Sequence, residues 1–149
     1  MTQRTLSAAA DAPVALNAFV RGIERRAAVF GELLCGDAIA GDAALAAAIR
    51  AFRGISSAAP MQEWPWRFWS LLLATPQLRR SPPPAPTRDG ALQSLARLPH
   101  GARAALLLRL AGGVADADAA LALGIAPATY RLALQHALPH RADGTADVD

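Results

Sequence analysis

The chain has 149 residues, of which 53% are hydrophobic, and a formal net charge of +3. Alanine contributes 37 residues and Val plus Ile only 10, a supply of β-branched side chains too small for an all-β fold. The single cysteine, Cys35, excludes an intramolecular disulfide and a thiolate metal cage. No signal-peptide pattern opens the chain and no apolar run is long enough to cross a membrane, so we expect a cytoplasmic protein without a membrane partner.

A proline-rich segment at residues 81–87 divides the sequence. Proline supplies no amide hydrogen and restricts the residue before it, so this segment is expected to be an extended spacer. It separates a helical region at 12–80 from a second one at 88–139, and an acidic tail follows at 140–149. Both regions are near the lower size limit for independent folding, so we expect them to dock or to require a partner.

Apolar residues at helical spacing predict three helices in the first region. The first carries its apolar stripe from Phe19 to Leu34. The second begins near Ile39 or Asp42. The third opens at Pro65, because proline suits a first helical position, and ends at Pro76. Short connections between these helices predict a three-helix bundle.

The second region has the spacing of a helix-turn-helix. A helix at 103–110 precedes one at 117–123, for which Asp116 is the expected cap, and a last helix covers 128–138. Gly124 supplies the turn residue that tolerates a positive φ angle. The expected shared core consists of Leu121, Ile125, Tyr130 and Leu134. The pattern alone fits a DNA-binding helix-turn-helix and a simple helical hairpin equally well.

Motifs in both regions resemble extracytoplasmic-function sigma factors. The pattern Leu98-Pro99-x-x-x-Arg103, and the run from Ala119 through Gly124 to Thr129, are similar to region four of that family, whose helix-turn-helix contacts the minus-thirty-five promoter element. The first region resembles region two in three stretches: Gly36-Asp37-x-x-x-Gly-Asp42, Trp66-x-x-x-Ser70 and Leu78-Arg79-Arg80. The resemblance implies an all-α fold, with an N-terminal three-helix bundle joined by the proline-rich linker to a C-terminal helix-turn-helix domain.

The resemblance also implies a function: binding to core RNA polymerase and positioning of promoter DNA, without an enzymatic activity or a cofactor. Arg131 and Gln135 would face base edges, and Thr129 and Arg103 would meet phosphates. Basic residues at the exit of the third helix would lie toward the minus-ten region (Arg79 and Arg80). The expected polymerase contacts are Asp42, Arg50 and Arg53. A regulatory protein of anti-sigma type would be a further partner.

The chain differs from the family at positions where the resemblance implies contacts with polymerase and DNA. Leu45 and Ala46 stand where polar polymerase contacts are usual, and Leu132 and Ala133 occupy expected donor positions in the last helix. With few phosphate contacts available, DNA binding by the chain alone should be weak. Two alternatives therefore stay open: a diverged sigma-like scaffold that binds another protein without recognising a promoter, and an unrelated helical interaction domain of similar composition.

The remaining conspicuous residues have structural explanations. Trp66 and Trp69 are expected at the rim and core of the bundle, and Trp64 at the start of its third helix. Cys35 is expected to be buried. The three arginines Arg21, Arg25 and Arg26 are expected on a solvated helix face. His136 and His140 have the spacing of two metal ligands, but Pro139 should end that helix between them, so no metal site is expected.

Overall fold

A computed structural model describes the backbone of residues 2–79 and 97–137, with side chains from Pro13 onward within those ranges. These ranges are helical and contain no strand, which confirms the all-α prediction. The linker at 81–87, Arg80 and the tail at 140–149 lie outside them. No helix in the described part is both long and apolar enough to span a membrane. The helices are α1 (Thr2–Cys35), α2 (Ala38–Ile55), α3 (Trp64–Leu73), α4 (Pro76–Arg79), α5 (His100–Leu110), α6 (Asp116–Leu123) and α7 (Pro127–Ala137), with a 3-10 turn, Met61–Glu63, before α3.

The boundary between α1 and α2 is set by two adjacent residues. Gly36 has a φ angle of 75° and its amide donates to the Glu32 carbonyl oxygen at 2.8 Å, which ends α1. The Asp37 carboxylate accepts from the backbone amides of Ile39 and Ala40 at 3.1 and 3.4 Å. It thereby caps the first turn of α2, whose amides have no partner within the helix.

Small residues let α1 and α2 approach closely. A Cβ atom built on Gly31 would lie 3.2 Å from the Gly41 Cα, so the two glycines face each other at the crossing. The buried stripe of α2 continues with Ala44, Ala48 and Phe52. The apolar residues Leu45 and Ile49 lie beside that stripe and are only partly buried.

Aromatic side chains form the centre of the N-terminal half. Phe19 of α1 packs against Phe52, Trp64 and Phe68, with ring centroids 5.2 to 6.1 Å apart. Trp64 is buried, and its Nε1 donates to the Ala59 carbonyl oxygen at 3.2 Å. Trp69 is buried, and Trp66 is half-buried beneath the Arg67 guanidinium. The tryptophans therefore have the structural positions expected of them, as does buried Cys35.

The C-terminal half folds around the turn at Gly124. Gly124 has a φ angle of 70°, its amide donates to Leu121 O, and the Ile125 amide donates to Ala120 O. This pair of bonds is a Schellman motif, which ends α6 and sends the chain into α7. The predicted break between two short helices is confirmed, since α6 and α7 are separate helices rather than one rod.

Two details of this half differ from the prediction. Asp116 lies inside the first turn of α6 and makes no capping hydrogen bond, because the helix begins one residue earlier than expected, after Ala115. Leu121 is 52% exposed instead of contributing to the core. The buried residues of α6 are the alanines Ala119, Ala120 and Ala122. Their small side chains permit α6 to pack tightly against its neighbours.

The two halves are docked through one continuous hydrophobic core. Helix α6 packs against α3, and α5 packs against α1. The Trp69 Cη2 atom lies 3.0 Å from the place a Cβ would take on Gly112, in the turn after α5. The Arg26 Nη1 of α1 donates to the Gly112 carbonyl oxygen at 2.9 Å. The expectation that Arg26 lies on a solvated face is thus only partly right, because this exposed residue also joins the halves.

Candidate nucleic-acid interface

Helix α7 is anchored by one face and exposed on the other. Its buried residues are Tyr130, Leu134 and Ala137, which pack toward α5 and α6. The Tyr130 hydroxyl donates to the Ala105 carbonyl oxygen of α5 at 3.1 Å. Burial, and secondly the nearby Asp116 carboxylate, raise the pKa of Tyr130 to about 12, against a smaller opposing effect of Arg109. The tyrosine therefore stays neutral and fixes the orientation of α7.

The predicted DNA-contacting residues of α7 all lie outside its buried face. Thr129, Arg131 and Gln135 are exposed, as are Leu132 and His136. At about 100° per residue, Arg131 and Gln135 lie about 40° apart around the helix axis, so they form one cluster. Thr129 lies about 160° from Arg131 and does not belong to that cluster. We call the exposed side of α7 the α7 face, defined by these five residues.

The middle of the α7 face is apolar. Leu132 lies between the Arg131–Gln135 cluster and the Thr129–His136 pair, and it is 55% exposed. Arg131 is the only arginine on this face. A groove-binding surface with one cation makes few phosphate contacts, and each lost contact lowers affinity at physiological salt. The arrangement supplies hydrogen-bond donors for base edges but little electrostatic attraction.

Arg103 does not share this surface. It lies in the first turn of α5 with only 3% of its area exposed, so it cannot stand beside Thr129 as an exposed phosphate contact. Desolvation by burial lowers the pKa of its guanidinium. Within the described part of the chain, the buried Nε atom has no hydrogen-bond partner. Arg103 is therefore separated from the exposed residues that the family resemblance groups with it.

The predicted polymerase contacts lie together on α2. Asp42, Arg50 and Arg53 are exposed and fall within about 80° of one another around the helix, opposite the buried stripe. Ile39 is 80% exposed and lies in the same sector, although no sequence pattern indicated that it belongs to this surface. We call this surface the α2 face, defined by Ile39, Asp42, Arg50 and Arg53. Arg79 is exposed on the short helix α4 and lies outside both faces.

The residue that sequence reasoning missed is Arg26. Its hydrogen bond to Gly112 joins positions 86 residues apart, and no local pattern in the sequence predicts such a contact. The Gly112 carbonyl oxygen that Arg26 binds lies in the turn that follows α5. No group of three or more metal-ligating side chains is found within residues 2–79 and 97–137.

Comparison with known proteins finds no matching family model, no matching curated protein and no matching solved structure.

Proposed function

We propose that the chain is a sigma-like transcription protein that binds core RNA polymerase through the α2 face and promoter DNA through the α7 face. The observation that carries this proposal is the free α7 face: a short helix after a tight left-handed turn, held from behind by Tyr130 and presenting Arg131 and Gln135 to solvent. Helices placed in this way enter the major groove in helix-turn-helix proteins.

The docking of the two halves is compatible with this use of α7. The N-terminal half packs against α6 and α5, and the exposed residues of α7 remain accessible. A duplex could therefore approach α7 without displacing the N-terminal half. The single arginine on the α7 face agrees with weak binding to DNA alone, so that polymerase would supply most of the affinity.

Substitution of Arg131 tests the proposed base contact. A DNA library with random sequence is first selected for duplexes that bind the chain together with a bacterial core polymerase. Arg131→Ala should lower discrimination between selected and random duplexes by about 1–3 kcal/mol, or roughly 5- to 150-fold, because one base contact is lost. Arg109→Ala removes an exposed arginine of α5 and serves as the matched control. Equal discrimination by both variants would exclude Arg131 from base recognition.

A second candidate function is a sigma-like scaffold that binds a protein partner without promoter recognition. The exposed Leu132 at the centre of the α7 face favours it, since an apolar centre with a polar rim is typical of protein interfaces. Leu132→Glu should then abolish capture of that partner while leaving core polymerase binding intact. If the same variant loses only discrimination between DNA sequences, the first proposal is favoured instead.

A further inference from the structure

Arg103 is a buried cation to which the described part of the chain supplies no counter-charge. It lies in the first turn of α5 with only 3% of its area exposed, and within the described ranges its Nε atom has no hydrogen-bond partner. Desolvation lowers the pKa of its guanidinium, and no carboxylate of the described residues acts against that effect. A buried charge without a partner is costly, so a bound anion would stabilise this part of the fold.

The beginning of α5 is a second positive feature. The helix starts after Pro99, which offers no side-chain cap, and its first turn contains no acidic residue. The first backbone amides of a helix have no partner within the helix and form the positive end of its dipole. The oxygen-bearing side chain that usually satisfies this end is therefore missing from both the cap and the first turn of α5.

The Arg103 side chain and these amides lie at the same end of α5. Side chains of a helix lean toward its N-terminus, so the guanidinium lies over the turn that precedes its own Cα atom. The Arg103 amide donates to the Pro99 carbonyl oxygen at 2.9 Å, which places the two residues one turn apart. Pro99 and Gly101 are exposed, and a Cβ built on Gly101 meets nothing within 4 Å. A small ion can therefore approach this end of the helix from solvent.

We propose that the N-terminus of α5 is a binding site for a small phosphate ion or phosphate monoester, held by the Arg103 guanidinium and the first backbone amides of the helix. A guanidinium is planar and can donate two parallel hydrogen bonds to one phosphate group. Helix N-termini bind the same anion through their amides and their dipole. This inference does not rest on the proposed function.

The burial of Arg103 restricts the ligand. A guanidinium with 3% of the residue exposed can be reached by a free phosphate ion or by the terminal phosphate of a small molecule. A phosphate within a DNA backbone has a sugar on either side and carries a single charge, whereas a monoester carries up to two charges near neutral pH. The site should therefore prefer the monoester to a diester, in contrast to the DNA contact that the family resemblance implies for Arg103.

Phosphate binding is measured on the full chain by phosphorus nuclear magnetic resonance and by thermal unfolding. Sodium phosphate is compared with sodium chloride at equal pH and equal ionic strength, so that charge screening is the same in both. At a phosphate concentration about ten times the dissociation constant, the wild-type Tm should be about 4–7 °C higher than in chloride. Methyl phosphate should compete with phosphate for the site, and dimethyl phosphate should not.

Two variants change the site, and one serves as the control. Arg103→Met should raise the dissociation constant of phosphate roughly 10- to 150-fold, because hydrogen bonds to a charged group are lost. Pro99→Asp places a carboxylate at the N-cap, which should satisfy the first amides of α5, stabilise the chain in chloride and weaken phosphate binding. Arg109→Ala removes an exposed arginine from the same helix and should bind phosphate as the wild type does.

Loss of phosphate binding in Arg103→Met and Pro99→Asp, with retention in Arg109→Ala, supports the site. An equal wild-type Tm in phosphate and chloride would overturn it, and so would equal phosphate affinities of Arg103→Met and Arg109→Ala. If Arg103→Met does not fold, Pro99→Asp decides alone, and an unchanged affinity in that variant overturns the site. Competition by dimethyl phosphate as strong as that by methyl phosphate would refute the preference for a monoester and favour a DNA backbone as the ligand.

Discussion

The crossing of α1 and α2 provides the sharpest test of the packing. A Cβ on Gly41 would lie 2.8 Å from the Glu32 backbone nitrogen and 3.1 Å from the Gly31 carbonyl carbon. Both atoms belong to the backbone of α1, so neither can rotate away as a side chain would. Gly41→Ala therefore forces the two helices apart and loosens the contacts of the neighbouring buried alanines of α2.

Two opposing effects determine how much Gly41→Ala changes the free energy of unfolding. Alanine is better than glycine in a helix interior by about 1 kcal/mol. Overpacking of a tight contact costs about 1–3 kcal/mol, and occasionally more. Since the clash is with backbone at less than 3.0 Å, we place its cost at the upper end of that range. The free energy of unfolding should fall by a net amount of about 1–2 kcal/mol.

A Gly→Ala substitution elsewhere in α2 should have the opposite effect on the free energy of unfolding. A Cβ on Gly54 meets nothing within 4 Å, so Gly54→Ala retains the gain in helix propensity, up to about 1 kcal/mol. Thermal unfolding followed by circular dichroism measures the stability of both variants. Gly41→Ala should lower Tm by about 3–8 °C for a chain of this size, and Gly54→Ala should leave it equal or higher. A Gly41→Ala protein as stable as Gly54→Ala would show that the helices do not cross this closely.

Three further substitutions test individual contacts by urea unfolding. Asp37→Ala should lose about 0.5–2 kcal/mol, because the cap of α2 is removed, whereas Asp42→Ala should change stability by less than about 0.5 kcal/mol. Tyr130→Phe should lose about 0.5–1.5 kcal/mol at neutral pH. Burial raises the pKa of Tyr130 from 10.0 to about 12, so its contribution is full below pH 10 and is lost between pH 10 and 12; Tyr130→Phe should lack that loss. Arg103→Met should gain about 1–3 kcal/mol, because a buried nitrogen without a partner is removed, and a loss instead would show that the guanidinium is satisfied.

Local patterns were sufficient to predict most of the helices. The apolar period located the part of α1 from Phe19 to Leu34, but not its beginning at Thr2. The pair Trp64-Pro65 located the start of α3, and Gly124 located the turn before α7. Each of these features depends on the conformational preferences of a few consecutive residues. The boundary at Asp116 was wrong by one residue, because two acidic residues in the first turn of α6 compete as sequence markers of its start.

Packing between distant segments could not be predicted in the same way. The helix-turn-helix spacing placed Leu121 in the core, but α6 packs through its alanines, whose small side chains allow close crossings with α3 and α7. The family resemblance implies that Arg103 is an exposed phosphate contact, yet its burial depends on the elements packed around α5. The Arg26–Gly112 contact joins two halves whose relative placement no local spacing encodes.

Helices α6 and α7 of the C-terminal half pack against different parts of the molecule. Helix α6 packs against α3 of the N-terminal half, whereas α7 packs against α5 and α6 through Tyr130 and Leu134. A ligand of the α7 face would therefore contact a helix that is oriented by its own half of the chain. Arg26→Ala, which removes the polar contact between the halves, should accordingly leave the affinity of the α7 face for a short duplex unchanged. A changed affinity in that variant would mean that the contact between the halves also orients α7, and that the two helices do not act independently.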